Sequence, residues 1–174
     1  MDEPEILLQA RRFQVVRQSY TAADGSLHTR EVVQHPGAVT ILPLLADGRI
    51  CLIRNFRVAV RQTLIELPAG TLEPGEDPAE TARRELQEET GFTAGSITRL
   101  CEFFMSPGIL CERMVVFLAT DLTPGHPRLE SGEQIEPLLV TWDEALQLVR
   151  TGRIEDAKTL TALLWYERFE RRGG

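Results

Sequence analysis

The stretch GTLEPGEDPAETARRELQEETGF, residues 70–92, carries the clearest helix signals of the chain and decides its fold. Asp77 suits the position that caps a helix N-terminus, and Pro78 suits the first helical position. Glu80 follows Asp77 at the spacing of a capping box. Gly91 is the residue type that most often ends a helix. These signals predict a helix from Asp77 to Gly91.

Three glutamates of this predicted helix share one face. With about 100° of rotation per residue and Glu85 as the reference, Glu88 lies at about −60° and Glu89 at about +40°. Like charges at these spacings destabilise a helix by a few tenths of a kcal/mol, roughly, and Arg84 offsets only part of that cost. A hard divalent cation bound by carboxylate oxygens would remove the repulsion. The alternative is an acidic helix face in contact with water.

The spacing of residues 70–92 as a whole resembles the signature box of Nudix hydrolases. The matching positions are Gly70, Glu76, Arg84, Glu85, Leu86, Glu88, Glu89, Gly91 and Phe92. A match at so many fixed spacings favours this resemblance over an ordinary acidic helix face. The resemblance implies an α/β/α sandwich with a mixed sheet. It also implies cleavage, dependent on Mg²⁺ or Mn²⁺, of a nucleoside diphosphate linked to another group.

The resemblance further implies a metal site on this segment. Carried over by position, the metal ligands are the carboxylates of Glu85 and Glu89 and the backbone carbonyl of Ala69. Glu88 lies close to these ligands. Arg84 then orients the carboxylates without itself touching the metal.

Four shorter segments resemble the ADP-ribose pyrophosphatase subfamily of Nudix hydrolases. They are HPGAV at 35–39, LIELPAG at 64–70, SPG at 106–108 and GRIEDAKTLTALL at 152–164. This resemblance implies hydrolysis of ADP-ribose to AMP and ribose 5-phosphate. One alternative is hydrolysis of another nucleoside diphosphate sugar such as GDP-mannose, because related hydrolases share several of these segments. The other alternative is a sensor that binds ADP-ribose without cleaving it. The intact carboxylates of Glu85, Glu88 and Glu89 argue against a sensor.

A general base is expected on the loop RLESGEQIEP, residues 128–137. In the resembled subfamily a glutamate on the loop before the last strand acts on the attacking water. Glu133 fits this position best, because it lies two residues before the apolar Ile135. Glu130 and Glu112 are alternatives that would share the role. For each of them the remaining interpretation is a solvated loop acid.

Phosphate binding is expected from the segment RNFR, which ends at Arg57 and resembles an Arg-Gln-aromatic-Arg strand of the family. Arg57 is the preferred diphosphate contact and Arg54 the second, because a planar guanidinium binds phosphate oxygens through two hydrogen bonds. Nearer the N-terminus, Arg30 is a candidate contact for the adenine or the phosphates. Phe13 or Tyr20 would stack on the base. Ordinary strand surface or dimer packing is the alternative for these three residues.

The chain divides into two predicted segments. β-Branched runs at 13–20 and 29–34, separated by an Asp-Gly turn signal, predict an N-terminal β appendage over 1–35. Residues 36–174 form the predicted hydrolase domain, in which strands and helices mix without a regular βαβ repeat, as in an α/β sandwich with a mixed sheet. The resembled subfamily exchanges its N-terminal strands across a twofold interface, which implies a homodimer.

Composition limits the possible partners. The chain has 26 acidic and 19 basic residues and a net charge of −7, which argues against nucleic acid as a partner. No apolar run approaches the roughly 20 residues that a membrane span needs, and the acidic N-terminus is unlike a secretory signal. We therefore expect a cytoplasmic protein, and the resemblance to the family implies a small nucleotide sugar as its partner. Lys158 is the only lysine among the basic residues, which we interpret as a compositional preference for arginine.

Overall fold

The computed structural model describes residues 3–171, so the outermost residues of the two predicted segments, 1–2 and 172–174, lie outside the described residues. It contains ten strands and three helices in this part of the chain. In chain order they are β1 (Glu5–Gln9), β2 (Gln14–Thr21), β3 (Leu27–Gln34), β4 (Ala38–Pro43), β5 (Ile50–Arg57), β6 (Gln62–Glu66), β7 (Ala69–Thr71), α1 (Pro78–Thr90), β8 (Thr93–Phe104), β9 (Arg113–Thr123), β10 (Ile135–Val140), α2 (Trp142–Arg150) and α3 (Ala157–Phe169). Within residues 3–171, none of the helices combines the length and apolar character that a membrane crossing requires.

The strands form three sheets. The first has the order β1-β2-β3, the second β10-β5-β6 and the third β7-β4-β9-β8. In the third sheet β4 runs parallel to β9, whereas the β4–β7 and β8–β9 pairs are antiparallel. The predicted α/β fold with a mixed sheet is therefore confirmed.

Strand β4 lies between two helical layers and is buried along its whole length. Because successive side chains of a strand point to opposite faces, its residues divide between two apolar cores. Val39 and Ile41 pack with Ala82 and Leu86 of α1, while Leu42 packs in the core that α2 and α3 cover. This layering places α1 on one side of the sheet and the other two helices on the opposite side.

Helix α1 has the boundaries that its sequence predicts. Asp77 caps the first turn by accepting the backbone N–H of Ala79 at 2.7 Å. The Glu80 side chain, which was expected to complete a capping box with Asp77, instead forms an ion pair with Arg83, with 3.7 Å between Oε1 and Nε. Gly91 ends the helix at a φ of 80°, a left-handed conformation that glycine adopts without steric cost.

The N-terminal sheet of β1, β2 and β3 meets the rest of the chain through Val33. The backbone N–H of Val33 donates to the carbonyl of Ile109 at 2.8 Å, and the N–H of Cys111 donates to the carbonyl of Val33 at 3.0 Å. Several large apolar side chains on and beside this sheet are exposed: Ile6, Leu8, Phe13, Tyr20 and Leu27. The boundaries of the predicted appendage and its part in dimerisation stay predictions.

Candidate active site

The glutamates of α1 face strand β7. Glu89 is buried, and its carboxylate accepts the backbone N–H of Ala69 at 2.9 Å. The carboxyl group of Glu85 lies over Gly70 so closely that a Cβ atom at residue 70 would overlap it. The third glutamate, Glu88, is less buried. The first two carboxylates are thus fixed against a strand whose small residues allow the close approach.

One guanidinium connects the acidic groups of this region. Arg84 Nη1 donates to Glu85 at 2.6 Å and to Glu88 at 3.2 Å. Its Nε and Nη2 donate to the two carboxylate oxygens of Glu76, each at 3.2 Å. Three carboxylates therefore share a single cationic side chain, which leaves the cluster with an excess of negative charge.

Burial makes this negative charge costly. It is the main cause that raises the pKa of Glu85 to about 7, against the opposing charge of Arg84. It also raises the pKa of Glu89 to about 8. The negative charge of Glu133 adds to both increases. Carboxylates that are held charged at neutral pH in such surroundings require a nearby cation.

The donor set fits a hard divalent cation. Among residues 3–171, no three His, Cys, Asp or Glu side chains already converge as a metal cluster, and Arg84 lies among the carboxylates instead. The groups available are nevertheless carboxylate and backbone carbonyl oxygens, which Mg²⁺ prefers. Gly70 leaves room for the Glu85 carboxyl group directly beside Ala69, and Glu89 is anchored to that same residue.

The loop acids differ in their surroundings. Glu133 lies near enough to Glu85 for its charge to raise the pKa of that residue, and its carboxylate accepts the backbone N–H of Glu130 at 2.9 Å. Glu112 lies against His35, with 3.6 Å between Oε1 and Nδ1. The structure thus brings Glu133 toward the α1 glutamates and pairs Glu112 with a histidine.

The two arginines of the RNFR segment lie on opposite faces of β5, because they are three residues apart in a strand. Arg57 pairs with the buried Glu66, and its positive charge offsets part of the rise in the pKa of Glu89 that burial causes. Arg54 lines a groove of about 340 Å³ beside α2, near Arg153. The structure therefore brings Arg57 to the α1 glutamates and Arg54 to a different surface.

Arg30 lies on the N-terminal sheet. Its guanidinium is 5.5 Å from the centre of the Tyr20 ring, which in turn stacks on His28 at 5.6 Å. Phe13 is partly exposed at the turn before β2. Arg30, Tyr20 and His28 thus contact one another on the sheet, and contact of Arg30, Tyr20 or Phe13 with a nucleotide stays a prediction.

The sequence interpretation missed two buried charges near Arg57. Glu66 is fully buried at the end of β6, and Lys158 is buried in the first turn of α3. Both occur in the segments that resemble the subfamily, LIELPAG at 64–70 and GRIEDAKTLTALL at 152–164. The one available sequence signal was that Lys158 is a lysine in a chain that otherwise uses arginine, which says nothing about its burial or its partner.

Comparisons with known proteins identify the family of the chain. The NUDIX domain family model matches residues 34–163. The chain is 41% identical over 146 residues to the ADP-ribose pyrophosphatase of Bacillus subtilis (strain 168), with 83% of this chain and 79% of that protein covered. It is 36% identical over 155 residues to the GDP-mannose pyrophosphatase of Escherichia coli O1:K1 / APEC, with 82% and 81% covered. A crystal structure of an ADP compounds hydrolase matches with a TM-score of 0.82 and 25% identity, over 100% of this chain and 97% of that one.

Proposed function

The chain belongs to the NUDIX family of hydrolases, and from this premise we propose that it hydrolyses the diphosphate bond of ADP-ribose to AMP and ribose 5-phosphate. One observation carries the proposal: the carboxylates of Glu85 and Glu89 are held against β7, where Glu89 accepts the Ala69 N–H at 2.9 Å and Glu85 packs over Gly70. Carboxylate oxygens and the backbone of Ala69, whose carbonyl is the proposed third ligand, thus lie together, and oxygen ligands are those that Mg²⁺ prefers. Nudix hydrolases generally use a divalent metal ion, which we propose is Mg²⁺, with Mn²⁺ able to replace it.

The metal would be held by the carboxylates of Glu85 and Glu89 and by the carbonyl of Ala69. The chemistry supplied by such an ion is neutralisation of the diphosphate charge and a lowered pKa for the attacking water. Glu88 adds negative charge beside these ligands. Arg84 donates to both Glu85 and Glu88, so it orients the carboxylates and limits their mutual repulsion.

Glu133 takes the proton from the attacking water in this proposal. It is our choice over Glu112 because its charge acts on both buried glutamates of α1, whereas Glu112 lies beside His35. A share of Glu112 in the general-base role stays a prediction. Glu130, whose N–H holds the Glu133 carboxylate at 2.9 Å, stays the other alternative.

Arg57 binds the diphosphate in this proposal. Two of its N–H groups are used by Glu66, and its side chain is still 39% exposed, so further N–H groups remain for phosphate oxygens. Arg54 stays a predicted second contact, although it lines a groove on the other face of β5. Arg30 stays a predicted contact for the adenine or the phosphates.

The proposal is tested by steady-state hydrolysis of ADP-ribose, GDP-mannose, ADP-glucose and NADH, each with Mg²⁺ and with EDTA. We expect the highest kcat/KM for ADP-ribose and no turnover in EDTA. A higher kcat/KM for GDP-mannose would keep the reaction class and overturn the substrate. That alternative is supported by the 36% identity to a GDP-mannose pyrophosphatase. Binding of ADP-ribose without turnover of any substrate would favour a sensor.

We further propose that the N-terminal sheet forms a homodimer. Its exposed apolar side chains, Ile6, Leu8 and Leu27 among them, would be removed from water by a second copy. Light scattering of the full chain is expected to give twice the monomer mass of 19.6 kDa. A fully active monomer would contradict this proposal.

A further inference from the structure

Arg57 belongs to a network of four charged side chains, which we call the Glu66 network: Arg57, Glu66, Lys158 and Asp156. Glu66 accepts two hydrogen bonds from Arg57, from Nε at 2.8 Å and from Nη2 at 2.5 Å. Lys158 Nζ donates to the same carboxylate at 2.6 Å and to Asp156 at 2.8 Å. Two cations and two anions thus alternate along one chain of contacts. Their formal charges sum to zero.

The network is buried where it meets the core. The Glu66 side chain is 1% exposed and that of Lys158 is 7% exposed. A buried ion pair is on average no more stabilising than apolar residues of the same volume, because both charges lose their hydration. Stability alone therefore gives no reason for an ion pair here. The reason for this ion pair lies instead in the way in which it holds Arg57.

The network fixes one edge of the Arg57 guanidinium. Burial by itself would raise the pKa of Glu66, but the hydrogen bonds from Arg57 and the charge of Lys158 outweigh burial, and the pKa is lowered. Glu66 is therefore an ionised, two-oxygen acceptor at neutral pH. A side-on pair of this kind defines the plane of the guanidinium. The opposite edge, with Nη1, carries the N–H groups that the pair leaves unused.

Lys158, the second cation of the network, lies in the first turn of α3, which several hydrogen bonds hold in place. Asp156 caps α3 by accepting the backbone N–H of Thr159 at 3.0 Å and its hydroxyl at 2.6 Å. The same hydroxyl oxygen accepts the backbone N–H of Leu67 at 2.8 Å. These bonds join the first turn of α3 to the residue that follows Glu66. Lys158 therefore meets the Glu66 carboxylate from a fixed position.

We propose that Glu66 and Lys158 are positioning residues that orient the Arg57 guanidinium toward the diphosphate of the substrate. The inference rests on the proposed function, since it needs Arg57 to bind a diphosphate. Glu66 sets the plane of the guanidinium. Lys158 holds the Glu66 carboxylate by donating to Oε2, the oxygen that also accepts from Arg57 Nη2. Neither residue touches the substrate.

The first test compares Glu66→Gln and Lys158→Met with the wild type. We expect KM for ADP-ribose, and the Kd for ADP-ribose measured by calorimetry in EDTA, to rise by about 10-fold, the effect of losing one well-oriented charged hydrogen bond. The change in kcat is expected to stay within about 3-fold, because Arg57 binds ground state and transition state alike. Unchanged KM and Kd in both variants would overturn the proposal.

A double-mutant cycle with Arg57→Ala separates positioning from a general structural effect. If Glu66 acts through Arg57, Glu66→Gln is expected to change KM and Kd by less than about 2-fold once Arg57 is already alanine. An undiminished effect of Glu66→Gln in the Arg57→Ala background would overturn the proposal.

A charge-balanced variant is the control for an effect of these substitutions on folding. Glu66→Gln leaves the network with an extra positive charge and Lys158→Met leaves it with an extra negative one, so either single variant is expected to lower Tm. The double variant Glu66→Gln/Lys158→Met has no excess charge and is expected to have a higher Tm than either single variant, with Kd still raised. Recovery of the wild-type Kd in the double variant would overturn the proposal.

Glu102→Gln is the matched surface control. Glu102 also accepts from two cations, Arg99 at 2.5 Å and Arg113 at 2.7 Å, but on the exposed surface of β8. We expect the KM and Kd of the Glu102→Gln variant for ADP-ribose to match those of the wild type. An increase equal to that of Glu66→Gln would overturn the proposal, because loss of any carboxylate between two arginines would then have the same effect.

The outcomes also separate this inference from the proposed function. If the wild type hydrolyses ADP-ribose and the cycle is additive, the proposed function stands and the positioning role is overturned. If the wild type binds ADP-ribose without hydrolysing it, the proposed function fails. A non-additive cycle in Kd would then still support positioning of Arg57.

Discussion

Glu89→Gln is expected to lower kcat with ADP-ribose by at least about 100-fold. Loss of a group that merely supports a metal ligand costs 10- to 100-fold, roughly, in affinity or activity, so loss of a direct ligand should cost at least the upper value. Glutamine keeps the shape of the side chain and still accepts the Ala69 N–H, which glutamate accepts at 2.9 Å. What it removes is the negative charge that attracts the cation.

The same substitution is expected to leave the metal-free protein folded and at least as stable. Burial raises the pKa of Glu89 to about 8, which means that the charged form is disfavoured at this position. A neutral side chain of the same shape therefore avoids a desolvation cost. In EDTA we expect the Tm of the variant to equal or exceed that of the wild type.

The activity assay measures the loss of kcat in Glu89→Gln. Thermal unfolding with and without Mg²⁺ measures the stability of the variant and its loss of metal binding. A ligand that binds only the folded state raises Tm, so Mg²⁺ is expected to stabilise the wild type and not the variant. Glu80→Gln is the matched control, because Glu80 lies on the same helix with an exposed side chain paired to Arg83. Wild-type kcat in Glu89→Gln would contradict the metal assignment, and equal losses in both variants would indicate a general charge effect.

Gly70→Ala is the second substitution for which we expect a large loss, again about 100-fold in kcat. A Cβ atom at residue 70 would overlap the carboxyl group of Glu85. The Glu85 carboxyl is the far end of a flexible side chain, so it can rotate away without disturbing the backbone. The substitution is therefore expected to displace one metal ligand while the fold persists.

The readouts for Gly70→Ala are kcat and the concentration of Mg²⁺ that gives half-maximal activity. We expect kcat to fall and the required concentration of Mg²⁺ to rise. The free energy of unfolding is expected to change by about 1 kcal/mol or less, as for substitutions that create no cavity and bury no unpaired charge. Unfolding of the variant at assay temperature would show that the backbone, and not the carboxylate, gives way. Unimpaired activity would contradict the assignment of Glu85.

The sequence alone was sufficient for the parts of this protein that depend on neighbouring residues. Helix α1 covers Pro78–Thr90, as its capping signals predicted, because capping is decided by contacts within one turn. The shared face of Glu85, Glu88 and Glu89 follows from helical rotation in the same way. The family followed from spacings within residues 70–92, and the family match over residues 34–163 confirmed it.

Other features were decided only by the packing of distant segments. Strand alternation already implies that Arg54 and Arg57 point to opposite faces of β5, but it does not say which face α1 will cover. The packing of α1 against the sheet places Arg57 on the side of the glutamates and leaves Arg54 on the groove beside α2.

The Glu66 network depends entirely on tertiary structure. Glu66 and Lys158 are 92 residues apart in the chain, and they meet because α3 begins where β6 ends in space. Sequence spacing carries no information about such a contact, since it depends on how the sheet and the helix pack. The sequence by itself thus determined the family, helix α1 and its row of carboxylates through local geometry. Only the tertiary structure decided which arginine faces those carboxylates and which buried charges hold it there, because long-range packing sets the distances between charges.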